Sequence, residues 1–457
     1  MTAVDQVDSA RSRDRPAPGR DCLHVRGGAA LRGSVRVGGA KNAALPIMAA
    51  ALLTADTCVI RNLPRIEDIA TLTELLRALG VRVDLPDPHT AVITAGHLAS
   101  TRAPAEFVAK MRASFLVMGP LLARLGNAEA GHPGGCEIGI RPVNVDVDGF
   151  KAMGAEVAHN DAGYRVQCGR LRGASIYLDY PSHTGTENLL MAACLAEGET
   201  VIRHASAEPE VVDLATFLVA LGAEIDGAGT NTVTIKGVER LHGADYTVMP
   251  DRLTAGTFAA AGVITQGDVT VEGIIPEHLD PVIFKLGKMG AQVDVETNAL
   301  RCRWQGPLRS VDIQAIHYPG FPTDLQAVFG ALLTQANGVS TIHERVFENR
   351  LAYAEQLNAM GADIAVSAQT AVILGPTPLH GADVNALDIR SGAAMVLAGL
   401  AADGETTIHD AQHVDRGYED LVDVLQRLGG QIEREFRVAD SESRAVTTRN
   451  SESATRN

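Results

Sequence analysis

One short phrase recurs six times along the chain: Leu or Met, then Gly, then a strand pattern with Val or Ile at the fifth position. The copies lie about 70 residues apart, and their glycines are Gly80, Gly154, Gly222, Gly290, Gly361 and Gly429. Each phrase ends an amphipathic helical pattern, so its glycine stands where a helix needs a left-handed C-terminal cap. The sequence therefore predicts six copies of one module.

The third copy shows what a module contains. A polar loop leads into an alanine-rich helix, a strand follows from Thr200, and an amphipathic helix over residues 211–221 ends at the repeated phrase. Strand patterns over residues 223–225 and 232–235 complete a βαβαββ unit, in which the apolar helix is buried and the amphipathic helix lies outside. Units this long exceed the roughly 20–50 residues of solenoid repeats, so we predict two globular groups of three modules with a ligand cleft between them.

The charge balance limits the possible partners. The formal net charge of −15 argues against general binding to nucleic acid or anionic membranes. Apolar runs fall short of the roughly 20 residues that cross a bilayer. Residues 1–21 and 438–457 are polar and unpatterned, and we expect both to be disordered tails. The six cysteines lack metal-ligand spacing and are expected to be free thiols in a cytoplasmic protein.

Cationic residues stand before helices at corresponding ends of the modules, where backbone N–H groups and the helix dipole favour anions. These residues are Lys41, Arg112, Arg141, Arg350, Arg390 and Arg416. If the module ends converge, they form a basic pocket in an acidic protein, suited to a small phosphate- or carboxylate-bearing substrate. The alternative is that each cation only forms a surface salt bridge.

A glycine-rich loop, Pro133-Gly-Gly-Cys, carries Cys136, and Arg141 follows five residues later. A nearby cation lowers the pKa of a thiol and favours the nucleophilic thiolate. From these residues alone, Cys136 is either a reactive thiol or an inert loop cysteine.

Seven segments match, in order, the motifs of the enolpyruvyl transferase family. They are Gly39-Ala-Lys-Asn-Ala-Ala-Leu-Pro, Lys110-Met-Arg-Ala-Ser, Pro133-Gly-Gly-Cys, Pro250-Asp-Arg, Phe321-Pro-Thr-Asp, Phe347-Glu-Asn-Arg and Asp415-Arg-Gly-Tyr. Over residues 22–437 the chain resembles this family, in particular its branch that acts on UDP-N-acetylglucosamine. The resemblance implies an α/β fold with two inside-out α/β barrels of three modules each. Domain I would comprise residues 22–40 plus 250–437, and domain II residues 41–249.

The resemblance also implies the chemistry. The enolpyruvyl group of phosphoenolpyruvate moves to a hydroxyl of a uridine nucleotide, phosphate is released, and neither a metal nor an organic cofactor is needed. Phosphoenolpyruvate would be held by Lys41, Arg112, Arg141, Arg390 and Arg416. Lys41 and Asp324 would be catalytic, with Asp324 as the base near the acceptor hydroxyl. Cys136 would donate a proton from a closing lid and would be the thiol that fosfomycin alkylates.

Residues implied to bind the acceptor include some that depart from the family pattern. The implied set is Asn42, Arg141, Pro142, Val143, Asn144, Val145, Ser182, His183, Thr184, Asp324 and Val346. In the family motif Arg-Pro-(Ile/Val)-Asp-Leu-His, Asn144 replaces the carboxylate and Asp146 the histidine. In Ser-Val-Gly-Ala-Thr, Thr184 replaces the glycine, and its side chain would intrude where backbone should lie against the ligand.

Three hypotheses about function follow. The phosphoenolpyruvate residues are kept while the acceptor loops have changed, so we expect a changed acceptor, specifically the 3′-hydroxyl of UMP, as in nucleoside antibiotic pathways. The alternative acceptor is UDP-N-acetylglucosamine, as in peptidoglycan synthesis. A non-catalytic nucleotide-binding paralogue is disfavoured because Lys41, Cys136 and Asp324 are all present.

Overall fold

A computed structural model describes residues 21–134, 138–139 and 142–435. Its α-helices are α1 (Lys41–Ala50), α2 (Glu67–Ala78), α3 (Ala105–Lys110), α4 (Met118–Leu125), α5 (Asn144–Ala152), α6 (His183–Ala193), α7 (Pro209–Ala220), α8 (Arg252–Ile264), α9 (Asp280–Met289), α10 (Thr323–Leu333), α11 (Tyr353–Ala359), α12 (Ile389–Ala401), α13 (Gln412–Asp415) and α14 (Leu421–Arg427). Short 3₁₀ segments occupy Ala51–Leu53, Arg112–Val117 and Pro276–Leu279.

The strands are short. In chain order they are β1 (Cys22–Arg26), β2 (Arg32–Arg36), β3 (Thr57–Arg61), β4 (Arg82–Asp87), β5 (Thr90–Thr94), β6 (Asn127–Ala130), β7 (Glu156–Asn160), β8 (Gly163–Gln167), β9 (Ser175–Tyr177), β10 (Glu199–Arg203), β11 (Glu224–Asp226), β12 (Thr232–Lys236), β13 (Asp245–Thr247), β14 (Asp268–Glu272), β15 (Gln292–Val295), β16 (Ala299–Arg303), β17 (Leu308–Arg309), β18 (Ile313–Ala315), β19 (Ala336–Glu344), β20 (Asp363–Ser367), β21 (Thr370–Gly375), β22 (Asp383–Asn385), β23 (Glu405–His409) and β24 (Gln431–Glu435).

Within the described residues the strands form six small sheets with a recurring pairing. In five of them one parallel pairing is followed by two antiparallel pairings, in the orders β13-β3-β5-β4, β9-β10-β12-β11, β2-β14-β16-β15, β17-β19-β21-β20 and β22-β23-β1-β24. The sheet β6-β8-β7 has the two antiparallel pairings, and a single parallel bridge from Arg102 to Glu129 replaces the fourth strand. Each copy of the repeated phrase is thus accompanied by one sheet.

The chain builds two hydrophobic cores. The first draws on residues 40–249, and the second on residues 23–37 and 253–432. In the first core α6 contacts α1 and α4, while in the second α8, α10 and α12 contact one another. Nearly every residue of α8, α10 and α12 is buried. Their apolar composition on all faces explains this burial, and the structure confirms the predicted inner helices.

The chain crosses between the two cores twice, at neighbouring places. The N–H of Ala40 donates to the carbonyl of Met249 at 2.7 Å, and the N–H of Asp251 donates to the carbonyl of Gly38 at 2.9 Å. A side chain at Gly39 would place its Cβ 1.7 Å from the carbonyl oxygen of Asn62, so only glycine fits there. The outgoing and returning segments are therefore held side by side.

The six glycines of the repeated phrase all have the predicted left-handed conformation, with φ between 92° and 100°. Residues 1–20 and 436–457, which include nearly all of the two expected tails, lie outside the described residues. Along the described chain, no helix is both long enough and apolar enough to span a membrane.

The helix α9 allows the cap to be tested with a matched control. Gly290, which follows α9, has a φ of 98° and space for a Cβ, so Gly290→Ala strains only the backbone. We expect its free energy of unfolding to fall by about 1 kcal/mol. Gly287→Ala, at an exposed position inside α9 that also has space, should raise that free energy by about 0.5–1 kcal/mol. Urea unfolding followed by the fluorescence of the single tryptophan, Trp304, compares them, and changes of equal sign would contradict this account.

Candidate active site

A cleft of about 640 Å³ lies between the two cores. Most of the predicted site residues line it: Lys41, Asn42, Arg112, Pro142, Ser182, His183, Thr184, Asp324, Val346, Arg350, Arg390 and Arg416. The sequence places many of them in the first turns of inner helices, since Lys41 begins α1, Asp324 is the second residue of α10 and Arg390 is the second residue of α12. The expected convergence of module ends is therefore observed.

Some predicted residues lie elsewhere. Val143, which precedes α5, and Val145, in its first turn, are buried in the first core, whereas Asn144 is exposed to solvent. The structure does not bring these three side chains to the cleft. Cys136 and Arg141 lie outside the described residues.

Lys41 and Arg416 share one buried carboxylate. The Nζ of Lys41 lies 2.7 Å from Oδ2 of Asp68, and the Nε of Arg416 donates to Oδ1 of Asp68 at 3.0 Å. Burial lowers the pKa of Lys41, and the charge of Asp68 opposes that effect. Burial alone would raise the pKa of Asp68, but Lys41 and Arg416 outweigh it and lower the pKa below its ordinary value. The structure therefore assembles two cations and one carboxylate into a single hydrogen-bonded group.

Asp324 is the centre of a second triad. Its Oδ1 accepts from Arg350 at 2.7 Å, and its Oδ2 lies 3.0 Å from a guanidinium nitrogen of Arg390. Burial alone would raise the pKa of Asp324, but the two guanidinium groups hold it well below its ordinary range. In this arrangement Asp324 is ionised and weakly basic. Arg390 also lies over the ring of Tyr418, 5.3 Å from its centre.

A third charged group links the two halves of the molecule. Arg252, at the start of α8, contacts Glu208 and donates from Nε to Glu210 at 3.0 Å. Glu208 in turn accepts the N–H of Tyr318 at 2.9 Å. The two glutamates belong to the segment that builds the first core, whereas Arg252 and Tyr318 belong to the segment that builds the second. These contacts fix the wall of the cleft beside α6.

His183 supplies an additional cation on that wall. Its Nε2 lies 3.0 Å from Oε1 of the buried Glu187, one turn along α6. Burial would lower the pKa of His183, but Glu187, with help from Glu210 and Glu208, outweighs it and raises the pKa to about 9. Nearby, Oδ1 of Asp146 accepts a hydrogen bond from the side-chain amide of Asn188 at 2.8 Å. Burial raises the pKa of Asp146 to about 6.

The acidic partners are what sequence reasoning missed. The cleft is lined by the predicted cations and also by Asp68, Glu187 and Glu208. The single local signal is Asp68 itself, an acid in the first turn of the otherwise amphipathic α2. The pairing of Asp68 with Arg416 spans 348 positions, so spacing along the chain does not reveal it. The expected basic pocket is a cleft of paired charges.

The chain matches known proteins over nearly its whole length. The family model for EPSP synthase (3-phosphoshikimate 1-carboxyvinyltransferase) matches residues 25–425. The chain is 49% identical over 415 residues to a UDP-N-acetylglucosamine 1-carboxyvinyltransferase of Magnetococcus marinus, covering 91% of this chain and 99% of that protein. It is 46% identical over 418 residues to UDP-N-acetylglucosamine 1-carboxyvinyltransferase 1 of Staphylococcus aureus, with the same two coverages.

Solved structures agree with this relationship. The enolpyruvyl transferase NikO from Streptomyces tendae has a TM-score of 0.82 and 30% identity, covering 91% of this chain and 99% of that chain. An EPSP synthase from Acinetobacter baumannii has a TM-score of 0.72 at 21% identity, which shows a shared fold, with 91% of this chain and 100% of that chain covered.

These similarities confirm the predicted α/β two-domain fold and the predicted class of enzyme, a transferase of 1-carboxyvinyl groups. The chain belongs to the EPSP synthase family of enolpyruvyl transferases. Its relatives at 46–49% identity carry the name UDP-N-acetylglucosamine 1-carboxyvinyltransferase.

The charge of His183 can be tested directly. At pH 7 we expect a protonated imidazole in the native protein, with a titration midpoint of about 9. Glu187→Gln should lower that midpoint, because it removes the carboxylate that most strongly opposes the effect of burial. The pair's contribution to folding is present below the ordinary histidine pKa and is lost as pH rises through about 9. Proton NMR titration measures both midpoints, with His183→Gln assigning the resonance; identical midpoints would disprove the ion pair.

Proposed function

We propose that this enzyme transfers the enolpyruvyl group of phosphoenolpyruvate to UDP-N-acetylglucosamine, a step of peptidoglycan synthesis, in the cytoplasm. One observation carries the choice of acceptor: relatives named for that reaction are 46–49% identical over nearly their full lengths. The net reaction forms a C–O bond between the acceptor oxygen and the enolpyruvyl carbon, and breaks that carbon's C–O bond to phosphate. The acceptor proton and inorganic phosphate leave.

The cations of the cleft would bind the phosphate and carboxylate of phosphoenolpyruvate. In this proposal Lys41, Arg112, Arg390 and Arg416 hold the substrate, and all four line the cleft. Arg141 joins them from outside the described residues. Guanidinium groups suit this task because they bind planar and tetrahedral oxyanions through two hydrogen bonds at once.

Asp324 would accept the proton of the acceptor hydroxyl. Its present pairing with Arg350 and Arg390 makes it a weak base. If Arg390 turns its charge toward the incoming phosphoenolpyruvate, Asp324 loses part of that stabilisation and becomes more basic. Substrate binding would thus activate the base, which supports placing both groups in one triad.

Cys136 would donate a proton to the enolpyruvyl group from the lid loop, and its thiol would be the target of fosfomycin. The supporting structure lies at the edge of that loop. The N–H of Asn349, contributed by the opposite wall of the cleft, donates to the carbonyl of Ile138 at 3.1 Å. Ile138, two residues after Cys136 in the chain, therefore contacts the opposite wall of the cleft.

The acceptor would lie along the α6 wall. Ser182 caps α6, because its hydroxyl oxygen accepts the N–H of Gly185 at 3.1 Å. Asn42, His183 and Thr184 also line the cleft. The hypothesis that UMP replaces the sugar nucleotide is not supported by the relatives, because those at 46–49% identity are named for UDP-N-acetylglucosamine. The change to Thr184 is better described as a difference within the same acceptor site.

We also infer the finer architecture. Each core, with its three inner helices and three sheets, would form an inside-out α/β barrel, giving six modules. Domain I would comprise residues 22–40 plus 250–437, and domain II residues 41–249. The two hydrophobic cores and the recurring strand pairing support this division.

Phosphate release tests the acceptor. The purified enzyme is given phosphoenolpyruvate with UDP-N-acetylglucosamine, UDP or UMP. We expect kcat/KM for the sugar nucleotide to exceed that for UMP by about 100-fold or more, because a site that hydrogen-bonds the sugar is left unpaired by UMP. Turnover with UMP alone would restore the changed-acceptor hypothesis. A lack of turnover with all three would favour a nucleotide-binding paralogue.

Replacing the base gives a second test. Asp324→Asn should lower kcat by about 10²–10⁴-fold. The KM for phosphoenolpyruvate should stay equal or fall, because Arg350 and Arg390 lose an internal competitor. Glu355→Gln, an exposed charge change on α11, serves as the control and should leave both constants unchanged. A higher KM with unchanged kcat would show that Asp324 binds substrate and takes no part in proton transfer.

A further inference from the structure

We propose that Asp68 is a positioning residue of the phosphoenolpyruvate site, which assembles Lys41 and Arg416 into one anion-binding pair before substrate arrives. The proposal rests on the proposed function in one respect: Lys41 and Arg416 are taken to bind phosphoenolpyruvate. The family motifs that identify the site do not include Asp68, which lies in α2 between the first and second of them.

The geometry supports a role that acts through other residues. Both oxygens of the Asp68 carboxylate are engaged, Oδ2 by Lys41 at 2.7 Å and Oδ1 by Arg416 at 3.0 Å. Lys41 begins α1 in the first half of the molecule, whereas Arg416 follows α13 in the second half. Asp68 is 3% exposed, so it cannot swing out to solvent while the cleft stays formed. One carboxylate thus joins cations supplied by both halves.

The charges around Lys41 explain why this carboxylate is needed. Burial lowers the pKa of Lys41, and the guanidinium groups of Arg390 and Arg416 lower it further. Asp68 is the described group that counteracts these effects. Without it, a buried ammonium would face the two guanidinium groups of Arg390 and Arg416, and the lysine would lose its proton at lower pH.

A purely structural role would predict a different pattern. An acid in the first turn of a helix stabilises the helix through its dipole. Glu67, the preceding residue, shares that first turn, but it faces outward and pairs with the exposed Lys110 at 2.8 Å. Glu67→Gln therefore removes the same helix-dipole contribution without touching the cleft, which makes it a matched control for Asp68→Asn.

The experiment compares Asp68→Asn, Glu67→Gln and the native enzyme by steady-state kinetics from pH 6 to pH 9. At pH 7.5 we expect Asp68→Asn to raise the KM for phosphoenolpyruvate by about tenfold, with the KM for UDP-N-acetylglucosamine changed by less than about twofold. Binding needs protonated Lys41, which is present below its pKa and lost above it. The KM of the variant should therefore begin to climb at lower pH than that of the native enzyme. Asp68→Glu, which keeps the charge, should restore the native pH profile in part.

Three outcomes are decisive. If Asp68→Asn behaves like Glu67→Gln in both KM and pH profile while Lys41→Met abolishes phosphoenolpyruvate binding, the positioning role is overturned and the proposed site stands. If Lys41→Met leaves the KM unchanged, the proposed site itself is wrong. Calorimetric titration with phosphoenolpyruvate repeats the comparison of the variants without turnover. If Asp68→Asn does not fold, Asp68→Glu takes its place in that comparison. Weaker binding in Asp68→Asn but not in Glu67→Gln supports the proposal.

Discussion

The sharing of one buried carboxylate between two cations is the interaction on which the cleft depends. Asp68 joins Lys41 to Arg416, and Asp324 joins Arg350 to Arg390. Burying such charges is costly unless each one is paired and hydrogen-bonded. The first turns of inner helices supply Lys41, Asp324 and Arg390. Asp68 comes from the outer helix α2, and Arg416 follows α13. The Asp68 group and the Arg252 contacts therefore join the two halves of the chain, whereas the Asp324 group lies within the second half.

The same pairing determines how the site responds to substrate. If only cations lined the empty cleft, their side chains would repel one another and would attract any small anion. With carboxylates inserted between the cations, an incoming anion has to replace an internal partner, so only a ligand that reaches several cations at once gains enough. Arg252, held by Glu208 and Glu210, adds a contact between the halves that is independent of these triads.

The sequence predicted what local geometry requires. The repeated glycines mark left-handed caps, and apolar composition on all faces marks the inner helices, so the two-domain α/β fold could be predicted from the sequence. The role of Asp68 was not predicted, because Lys41 and Arg416 are distant from it in sequence and only the packing of α1, α2 and α13 brings the three residues together. Val143 and Val145 were assigned to the acceptor from their neighbours in a motif, but both side chains are buried in the first core. The UMP hypothesis relied on two altered loop positions, Asn144 and Thr184, whereas relatives that match nearly the whole chain are named for UDP-N-acetylglucosamine.

The side-by-side crossing of the chain between its cores has a consequence for synthesis on the ribosome. Strand β1 emerges first, yet it pairs with β23 and β24, which are made last. Residues 40–249 contain every component of the first core, so that core can be completed while β1 is still unpaired. An unpaired strand is a template for pairing with other chains. Until β23 and β24 have been made, both edges of β1 are therefore open to pairing with other chains.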